Sequence, residues 1–245
     1  MSVALELQGV EVRFGGLRAV AGLDLHVRTG TIHALIGPNG AGKSTALNSI
    51  SRFVTPVRGD ILFEGRSILR FGPHRMAGLG IARAFQNLEL CGRLSVLENV
   101  LVGLAAVPSR GRGADRAAAM ELLDRIGLAD EARVPAERLP FGRQKQLDLA
   151  RALASRPRLL LLDEPAAGLR NRDIRALDAM LLDLCRRDGV TILLVEHVMS
   201  LVMSVADRIT VLNHGEKISE GSAAEIRTDP RVIAAYLGRA ADVAA

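Results

Sequence analysis

The chain contains a glycine-rich stretch whose residue types and spacing suit a bound polyphosphate. It reads IGPNGAGKST, with Gly37 followed after four residues by Gly42, Lys43 and Ser44. Glycines let backbone N–H groups approach phosphate oxygens, the lysine reaches the β and γ oxygens in binding and catalysis, and the Ser44 hydroxyl holds Mg²⁺. The predicted nucleotide contacts are Gly37, Pro38, Asn39, Gly40, Ala41, Gly42, Lys43, Ser44 and Thr45.

Two adjacent carboxylates follow an apolar run later in the chain. In RLLLLDEP, Asp163 and Glu164 stand at the carboxyl end of a predicted buried strand, which is where ligands gather in open α/β sheets. We expect Asp163 to hold Mg²⁺ through water, and Glu164 to orient or deprotonate the water that attacks the γ-phosphate. In isolation such a pair is better explained as the cap of the next helix, but beside a phosphate-binding loop the catalytic interpretation is the stronger one.

A third polar group follows another apolar run, VTILLV, which ends in Glu196 and His197. A lone histidine after a strand is usually a turn or capping residue. Here, however, its position matches those of the glycine-rich loop and the acidic pair, each of which also follows a predicted strand. A histidine at that place can hydrogen-bond a γ-phosphate, so His197 is a candidate catalytic residue.

The elements that must position these residues alternate between strand and helix. The glycine-rich stretch lies between a buried strand, TIHALI, and a helix, STALNSISR, which is the context that separates a phosphate-binding loop from a chance turn. From about residue 88 to 155 the periodicity is helical, and Pro157 ends this insert. The later segments RLLLLDEP, VTILLVEH and DRITVLNHGEKISEG return to alternation, which predicts an α/β fold with a mainly parallel sheet.

We predict a single domain over residues 1–245. Its α/β core comprises residues 1–86 and 157–222, an all-helical subdomain comprises 87–156, and a short helical tail comprises 223–245.

Composition limits the class of protein. A chain of 245 residues with 49% hydrophobic and 24% charged residues is long and apolar enough to bury a core. No apolar run approaches the roughly 18 residues of a spanning helix, and the N-terminal sequence lacks the features of a secretory signal, so we expect a cytoplasmic chain. The net charge of +5 raises the possibility of nucleic acid, but the basic residues are scattered and aromatic residues make up only 3%, so we expect no nucleic-acid partner.

The segment ERLPFGRQKQLDLAR places a loop with Pro, Phe, Gly and Arg directly before an amphipathic helix. Together with the preceding motifs, it resembles the nucleotide-binding subunit of ATP-binding cassette (ABC) transporters over nearly the whole chain. The resemblance implies ATP and Mg²⁺ as ligands. It also implies a P-loop NTPase (RecA-like) core with an N-terminal antiparallel β subdomain and a helical insert.

In that family a loop, commonly Leu-Ser-Gly-Gly-Gln, faces the γ-phosphate bound to the other subunit of a head-to-tail dimer. The matching residues are Leu139, Pro140, Phe141, Gly142 and Arg143, with Gln144 following.

This loop departs from the family pattern. Pro140 has neither a hydroxyl nor an N–H where the family often has Ser, while Arg143, in place of Gln, offers a charge instead. Arg170 stands where the subfamily usually has Asn. Because the loop serves the opposite subunit, a heterodimer would confine its altered chemistry to one of two sites.

Two further positions match the family. Gln86, in GIARAFQN, corresponds to the Gln that touches Mg²⁺ and the attacking water; the alternative is a surface amide at a strand end. Phe14, in VRFGG, corresponds to the aromatic residue that stacks on adenine; the alternative is a core phenylalanine.

Longer strings, among them SVLENVLVG and DPRVIAAYLG, look like the ATPase subunits of branched-chain amino-acid importers. The resemblance implies two transmembrane permease chains, a second ATPase that is identical or paralogous, and indirectly a periplasmic or extracellular substrate-binding protein. It places the chain peripherally at the cytoplasmic face of the inner membrane. Three alternatives stay open at this point: an importer of urea or amides, a soluble ABC ATPase with a non-membrane partner, and a P-loop kinase or GTPase.

Overall fold

A computed structural model describes residues 2–84 and 88–242. Within these residues the strands are β1 (Val3–Phe14), β2 (Leu17–Arg28), β3 (Ile32–Ile36), β4 (Arg58–Phe63), β5 (Arg66–Ser67), β6 (Ile81–Ala84), β7 (Leu159–Asp163), β8 (Thr191–Val195), β9 (Arg208–Asn213) and β10 (Glu216–Gly221). The helices are α1 (Lys43–Ile50), α2 (Met76–Leu79), α3 (Val96–Leu104), α4 (Arg112–Arg125), α5 (Phe141–Ala154), α6 (Asn171–Arg186), α7 (Met199–Val205), α8 (Ala223–Thr228) and α9 (Pro230–Asp242).

The strands form two sheets in the described part of the chain. The central sheet has the order β10-β9-β3-β8-β7-β6 and is parallel except for the β9/β10 pair. The other sheet, β2-β1-β4-β5, is antiparallel. The predicted α/β class and the expected antiparallel N-terminal sheet are therefore confirmed. Because parallel strands end at the same edge, the segments after β3, β8 and β7 come together there.

Burial explains why short apolar runs became the central strands. Every residue of β3, β7 and β8 is buried, as expected of parallel strands covered on both faces. One face packs with α1 and the antiparallel sheet, through residues such as Leu47 and Leu7. The opposite face packs with α5, α6 and α7, through residues such as Leu149, Leu181 and Leu201. The layers hold the carboxyl edge of the sheet in a fixed arrangement.

Helices α3, α4 and α5 share a hydrophobic cluster of their own. The first of them begins with a capping box, in which the Ser95 hydroxyl accepts from the backbone N–H of Glu98 while the Glu98 side chain accepts from the backbone N–H of Ser95, so its entry is fixed locally. The buried residues of this cluster come from residues 96–154 and not from the central sheet, and the helical subdomain over residues 87–156 stays a prediction. The exact boundaries at 86/87 and 156/157 stay a prediction.

Residues 223–242, the described part of the predicted helical tail, contain α8 and α9, which pack on the central sheet. Val232 of α9 joins Ile226, Ala34 and Ile36 in one buried cluster, so the tail supports the strand that leads into the glycine-rich loop. Among residues 2–84 and 88–242, no helix is both long and apolar enough to cross a membrane.

Candidate functional site

The glycine-rich loop joins β3 to α1, and its backbone conformation requires glycine at two places. Gly37 has φ +151° and a methyl group there would lie 2.1 Å from the carbonyl oxygen of Leu212. Gly42 has φ +98° and a methyl group there would lie 2.3 Å from the carbonyl oxygen of Ala19. Any side chain would therefore push the loop away from its supports. The helix α1 starts directly after Gly42, so its first N–H groups face the loop.

Neighbouring segments brace the loop. The backbone N–H of Gly215 donates to the carbonyl of Ala41 over 3.0 Å, and the carbonyl of Gly215 accepts from the N–H of Ala21 over 2.9 Å. Lys43 is buried, and its ammonium donates to the carbonyls of Gly37 (2.7 Å) and Pro38 (3.0 Å). The Lys43 ammonium is thus held against the loop itself, while Ser44 is exposed on the first turn of α1.

Asp163, the last residue of β7, is 3% exposed. Its Oδ2 accepts from the Arg83 guanidinium at 2.7 Å. Its Oδ1 is buried and has no hydrogen-bond donor among the described residues. Buried carboxylate oxygens ordinarily have partners, and a hard cation such as Mg²⁺ prefers oxygen ligands. The residues therefore fit the predicted cation.

Glu164 follows Asp163 in a conformation that non-glycine residues rarely adopt. Its φ is +49°, and its backbone N–H donates to the carbonyl of Val195 across the sheet edge at 2.9 Å. Such conformations cost about 1–3 kcal/mol and concentrate at functional sites. The Glu164 Oε2 lies 3.6 Å from Nδ1 of His197, whose side chain is 54% exposed. The two candidate catalytic side chains are therefore brought together, as the strand ends predicted.

Glu196 organises this edge, a role that sequence reasoning missed. Its side chain is fully buried. Its Oε1 accepts from the N–H of Ala166 at 2.8 Å, and its Oε2 accepts from the N–H groups of His197 (2.7 Å) and Val198 (2.9 Å). The carboxylate thus ties the segment after Glu164 to the segment that carries the histidine. The available signal was an acidic residue directly after an apolar strand.

The predicted dimer loop caps α5. Pro140 is the residue before the helix, and its carbonyl accepts from the N–H groups of Arg143 (2.8 Å) and Gln144 (3.0 Å). The Gln144 amide donates back to the carbonyl of Leu139 at 3.0 Å. The ring of Phe141 is half exposed and packs against the loop after β7, where a methyl group on Gly168 would lie 2.8 Å from its Cε1.

The charge of Arg143 is used inside the helical region. Its guanidinium donates to the carbonyl of Gly127 at 2.8 Å and lies 3.5 Å from the carboxylate of Glu131. The side chain therefore has local partners, so the expectation that it offers its charge to a nucleotide stays a prediction with no support from its contacts. The backbone at Gly142 leaves the start of α5 accessible, since among the described residues a methyl group placed there would meet the Leu169 side chain alone, at 3.7 Å.

A cleft of about 930 Å³ separates the start of α5 from the loop after β7. Lys145 and Asp163 both line it. Burial lowers the pKa of Lys145, and the carboxylates of Asp148, Glu196, Glu164 and Asp163 oppose this shift. Lys145 therefore lies within electrostatic reach of the site's acidic groups, which its sequence position did not indicate.

Three remaining predicted positions have different outcomes. Phe14 ends β1 and is 52% exposed, so it is not a core residue and its ring is available for stacking. Arg170 precedes α6 and is exposed. Gln86 lies outside the described residues, and its role stays a prediction.

Comparison with known proteins gives consistent matches. A family described as "ABC transporter" matches residues 20–167, and one described as "Branched-chain amino acid ATP-binding cassette transporter" matches residues 216–242. The chain is 40% identical to the high-affinity branched-chain amino acid transport ATP-binding protein BraF of Pseudomonas aeruginosa, over 96% of this chain and 98% of that protein.

Solved structures agree with the sequence matches. The ADP conformation of MJ1267, an ATP-binding cassette of an ABC transporter, superposes with a TM-score of 0.88 at 28% identity, covering 97% of this chain and 99% of that one. A dimeric post-hydrolysis state of the ATP-binding cassette MJ0796, bound to ADP and Pi, gives a TM-score of 0.81 at 26% identity, with coverages of 89% and 98%.

Proposed function

We propose, from the premise that this chain belongs to the ABC transporter family, that it is the Mg²⁺-dependent, ATP-hydrolysing motor subunit of an importer for branched-chain or related amino acids. One observation carries the site: β3, β8 and β7 are adjacent and parallel, so the phosphate-binding loop, His197 and the Asp163/Glu164 pair share one edge. The substrate class rests on the likeness to BraF, whose name specifies branched-chain amino acids.

The glycine-rich loop binds the phosphates of ATP. Backbone N–H groups of residues 37–45 and the start of α1 offer donors to the phosphates, and Lys43 exchanges its carbonyl partners for phosphate oxygens. Ser44 and Asp163 would hold Mg²⁺, with Gln86 as a further ligand and participant in catalysis. When bound, Mg²⁺ neutralises charge on the β and γ oxygens. Phe14 would stack on the adenine.

The hydrolysis step depends on Glu164 and His197, which follow β7 and β8. Glu164 accepts a proton from, or orients, the water that attacks the γ-phosphate, and His197 donates a hydrogen bond to that phosphate. Their side chains are 3.6 Å apart, close enough to act on a single phosphoryl group. Glu196 fixes the backbone of both segments, which keeps the two groups in register before ATP arrives.

The site is completed by a second cassette. The start of α5 in one subunit, with residues 140–144, would face the γ-phosphate held by the other, as a helix N-terminus favours an anion. The dimeric MJ0796 structure supports the presence of a second cassette. We propose that the second cassette is identical or paralogous. We propose that the two cassettes lie at the cytoplasmic face of the inner membrane, bound to two transmembrane permease chains. A periplasmic or extracellular substrate-binding protein is coupled to them indirectly.

Substitution of Glu164 by Gln tests the chemistry. We expect ATP affinity to be retained, steady-state hydrolysis to be lost and the ATP-bound dimer to persist, because only the proton acceptor is removed. Glu121→Gln, at an exposed position on α4, is the matched control and should hydrolyse ATP normally. Wild-type turnover in Glu164→Gln would remove that residue from its proposed role.

Capture of the tagged chain from gently solubilised membranes tests the assembly. We expect two hydrophobic permease chains and a second ATPase. Uptake of radiolabelled leucine into vesicles that contain the captured complex and its binding protein then tests the substrate. Soluble or ribosomal partners, with no membrane protein, would overturn the importer proposal.

A further inference from the structure

We propose that Arg83 is a positioning residue for the cation site: it engages one oxygen of Asp163 and fixes that carboxylate relative to α1, so that the other oxygen remains for Mg²⁺. This inference rests on the proposed role of Asp163 as a cation ligand. Arg83 belongs to β6, the strand next to β7 and last in the order of the central sheet. Sequence reasoning gave it no role.

The guanidinium bridges two elements of the core. Its Nη2 donates to Oδ2 of Asp163 at 2.7 Å. Its Nη1 donates to Oδ1 of Asn48 at 2.7 Å and to Oγ of Ser51 at 2.8 Å. The side chains of Arg83 and Asp163 are only 8% and 4% exposed, so water does not loosen this arrangement. A planar guanidinium is suited to such a task because its donors lie in a fixed fork.

Two partners at α1 connect Arg83 to the other proposed cation ligand. Asn48 lies on the helix and Ser51 directly follows it. They come four and seven residues after Ser44, a spacing that keeps all three on the same side of α1. A rigid helix turn therefore separates the Ser44 hydroxyl from the groups that hold the guanidinium. Through this helix, Arg83 sets the spacing between the hydroxyl of Ser44 and the carboxylate of Asp163.

The state of the Asp163 carboxylate agrees with this role. Oδ2 is occupied by the guanidinium, whereas Oδ1 is buried without a donor among the described residues. Groups that orient a metal ligand from behind commonly determine metal affinity. The positive charge of Arg83 by itself opposes a cation, since like charges repel. The direction of the effect therefore distinguishes the two contributions: loss of orientation weakens Mg²⁺ binding, and loss of charge alone strengthens it.

The test measures the Mg²⁺ concentration that half-maximally promotes binding of fluorescent mant-ATP to the full-length chain. All variants carry Glu164→Gln, which prevents turnover. Arg83→Met should raise this Mg²⁺ midpoint by about 10- to 100-fold, the usual cost of losing such a supporting group. Arg83→Lys keeps the charge without the fork and should give an intermediate value.

A matched control separates this effect from general destabilisation. Arg52 is likewise buried, and its guanidinium donates to the carbonyls of Leu69 (2.8 Å) and Phe71 (3.2 Å), away from Asp163. Arg52→Met should lower the thermal midpoint of unfolding but leave the Mg²⁺ midpoint unchanged. If Arg83→Met does not fold, Asn48→Leu removes one anchor of the guanidinium and should still raise the Mg²⁺ midpoint severalfold.

The Mg²⁺ midpoints of the variants decide between the positioning role of Arg83 and its absence. An Mg²⁺ midpoint that is unchanged or lowered in Arg83→Met, or unchanged in Asn48→Leu where Arg83→Met does not fold, overturns the positioning role. If Asp163→Asn also leaves the midpoint unchanged, the proposed cation site itself fails. A raised midpoint in Asp163→Asn and Arg83→Met, with Arg52→Met unaffected, supports both.

Discussion

Replacement of Glu196 by Gln tests whether this buried carboxylate fixes the segments that carry Glu164 and His197 at the carboxyl edge of the central sheet. The wild-type side chain is fully buried and accepts from three backbone N–H groups. A glutamine retains one acceptor oxygen, which can serve the two N–H groups of His197 and Val198. Its NH₂ group then meets the N–H of Ala166, donor against donor. One hydrogen bond to a charged group is lost and one buried donor is left unsatisfied.

The magnitude follows from these losses. Hydrogen bonds to charged groups contribute about 1.5–3 kcal/mol, and an unsatisfied buried donor costs about 1–3 kcal/mol. The two energies are not added, because both describe the loss of the same hydrogen bond to the Ala166 N–H. We therefore expect Glu196→Gln to lower the free energy of unfolding by about 1.5–3 kcal/mol. Urea unfolding followed by circular dichroism measures this change directly.

The same variant should also affect catalysis. The Glu196 carboxylate joins the segment of Ala166 to that of His197, whereas the Lys43 ammonium donates to the carbonyls of Gly37 and Pro38. We expect kcat of ATP hydrolysis to fall while mant-ATP affinity is retained. Glu220→Gln, whose carboxylate pairs with Arg208 and Lys217 on β9 and β10, is the control for loss of a partly buried carboxylate. Wild-type stability in Glu196→Gln would refute the reasoning, and reduced stability with wild-type kcat would restrict Glu196 to a structural role.

Three further predictions concern single side chains. Lys43→Ala should weaken mant-ATP binding by roughly 10- to 100-fold, since a charged donor contributes about 1.5–3 kcal/mol; unchanged affinity would contradict its role. Gly37→Ala should lose stability by about 1–3 kcal/mol because its methyl group would lie 2.1 Å from the Leu212 carbonyl oxygen. Gly40 also has a positive φ, of +79°, but a methyl group there meets no atom of the described residues within 4 Å, so Gly40→Ala should lose less in the same urea titration. Burial lowers the pKa of His33 to about 4, below the unfolded value of about 6.5. Its contribution to stability is therefore present above pH 6.5 and is lost as the pH falls toward 4, by about 2 kcal/mol between pH 7 and pH 5. His33→Gln should flatten this part of the profile, and an unaltered slope would contradict the prediction.

Sequence patterns predicted the site wherever a motif and its flanking elements specify the same location. The strand before Gly37 and those before Asp163 and Glu196 were visible as short apolar runs, and all three are fully buried strands. Since parallel strands end at one edge, the placement of Glu164 and His197 at the same edge was predictable, whereas their contact depends on the pairing of β7 with β8. Periodicity also predicted the helical insert, because its apolar spacing reflects a buried helix face.

What could not be predicted depends on side-chain contacts across the fold. The pairing of Arg83 with Asp163 needs the neighbour relation of β6 and β7, which no local pattern encodes. The partners of Arg143 come from the turn at Gly127 and from Glu131, so its direction could not be read from the loop itself. In each case the missing information was which distant backbone lies beside a charged group.

The bracing of the phosphate-binding loop has a consequence for synthesis of the chain. Gly215 bonds both Ala41 and Ala21, so the turn that supports the loop is translated long after the loop has left the ribosome. Contacts of such sequence separation form only after the closure entropy of the intervening chain is overcome. A nascent chain that ends before Gly215 therefore carries the glycine-rich motif without the support that shapes it. ATP should protect stalled nascent chains from protease only once this turn has emerged, which makes the β9–β10 turn the step in translation at which the chain acquires its ligand.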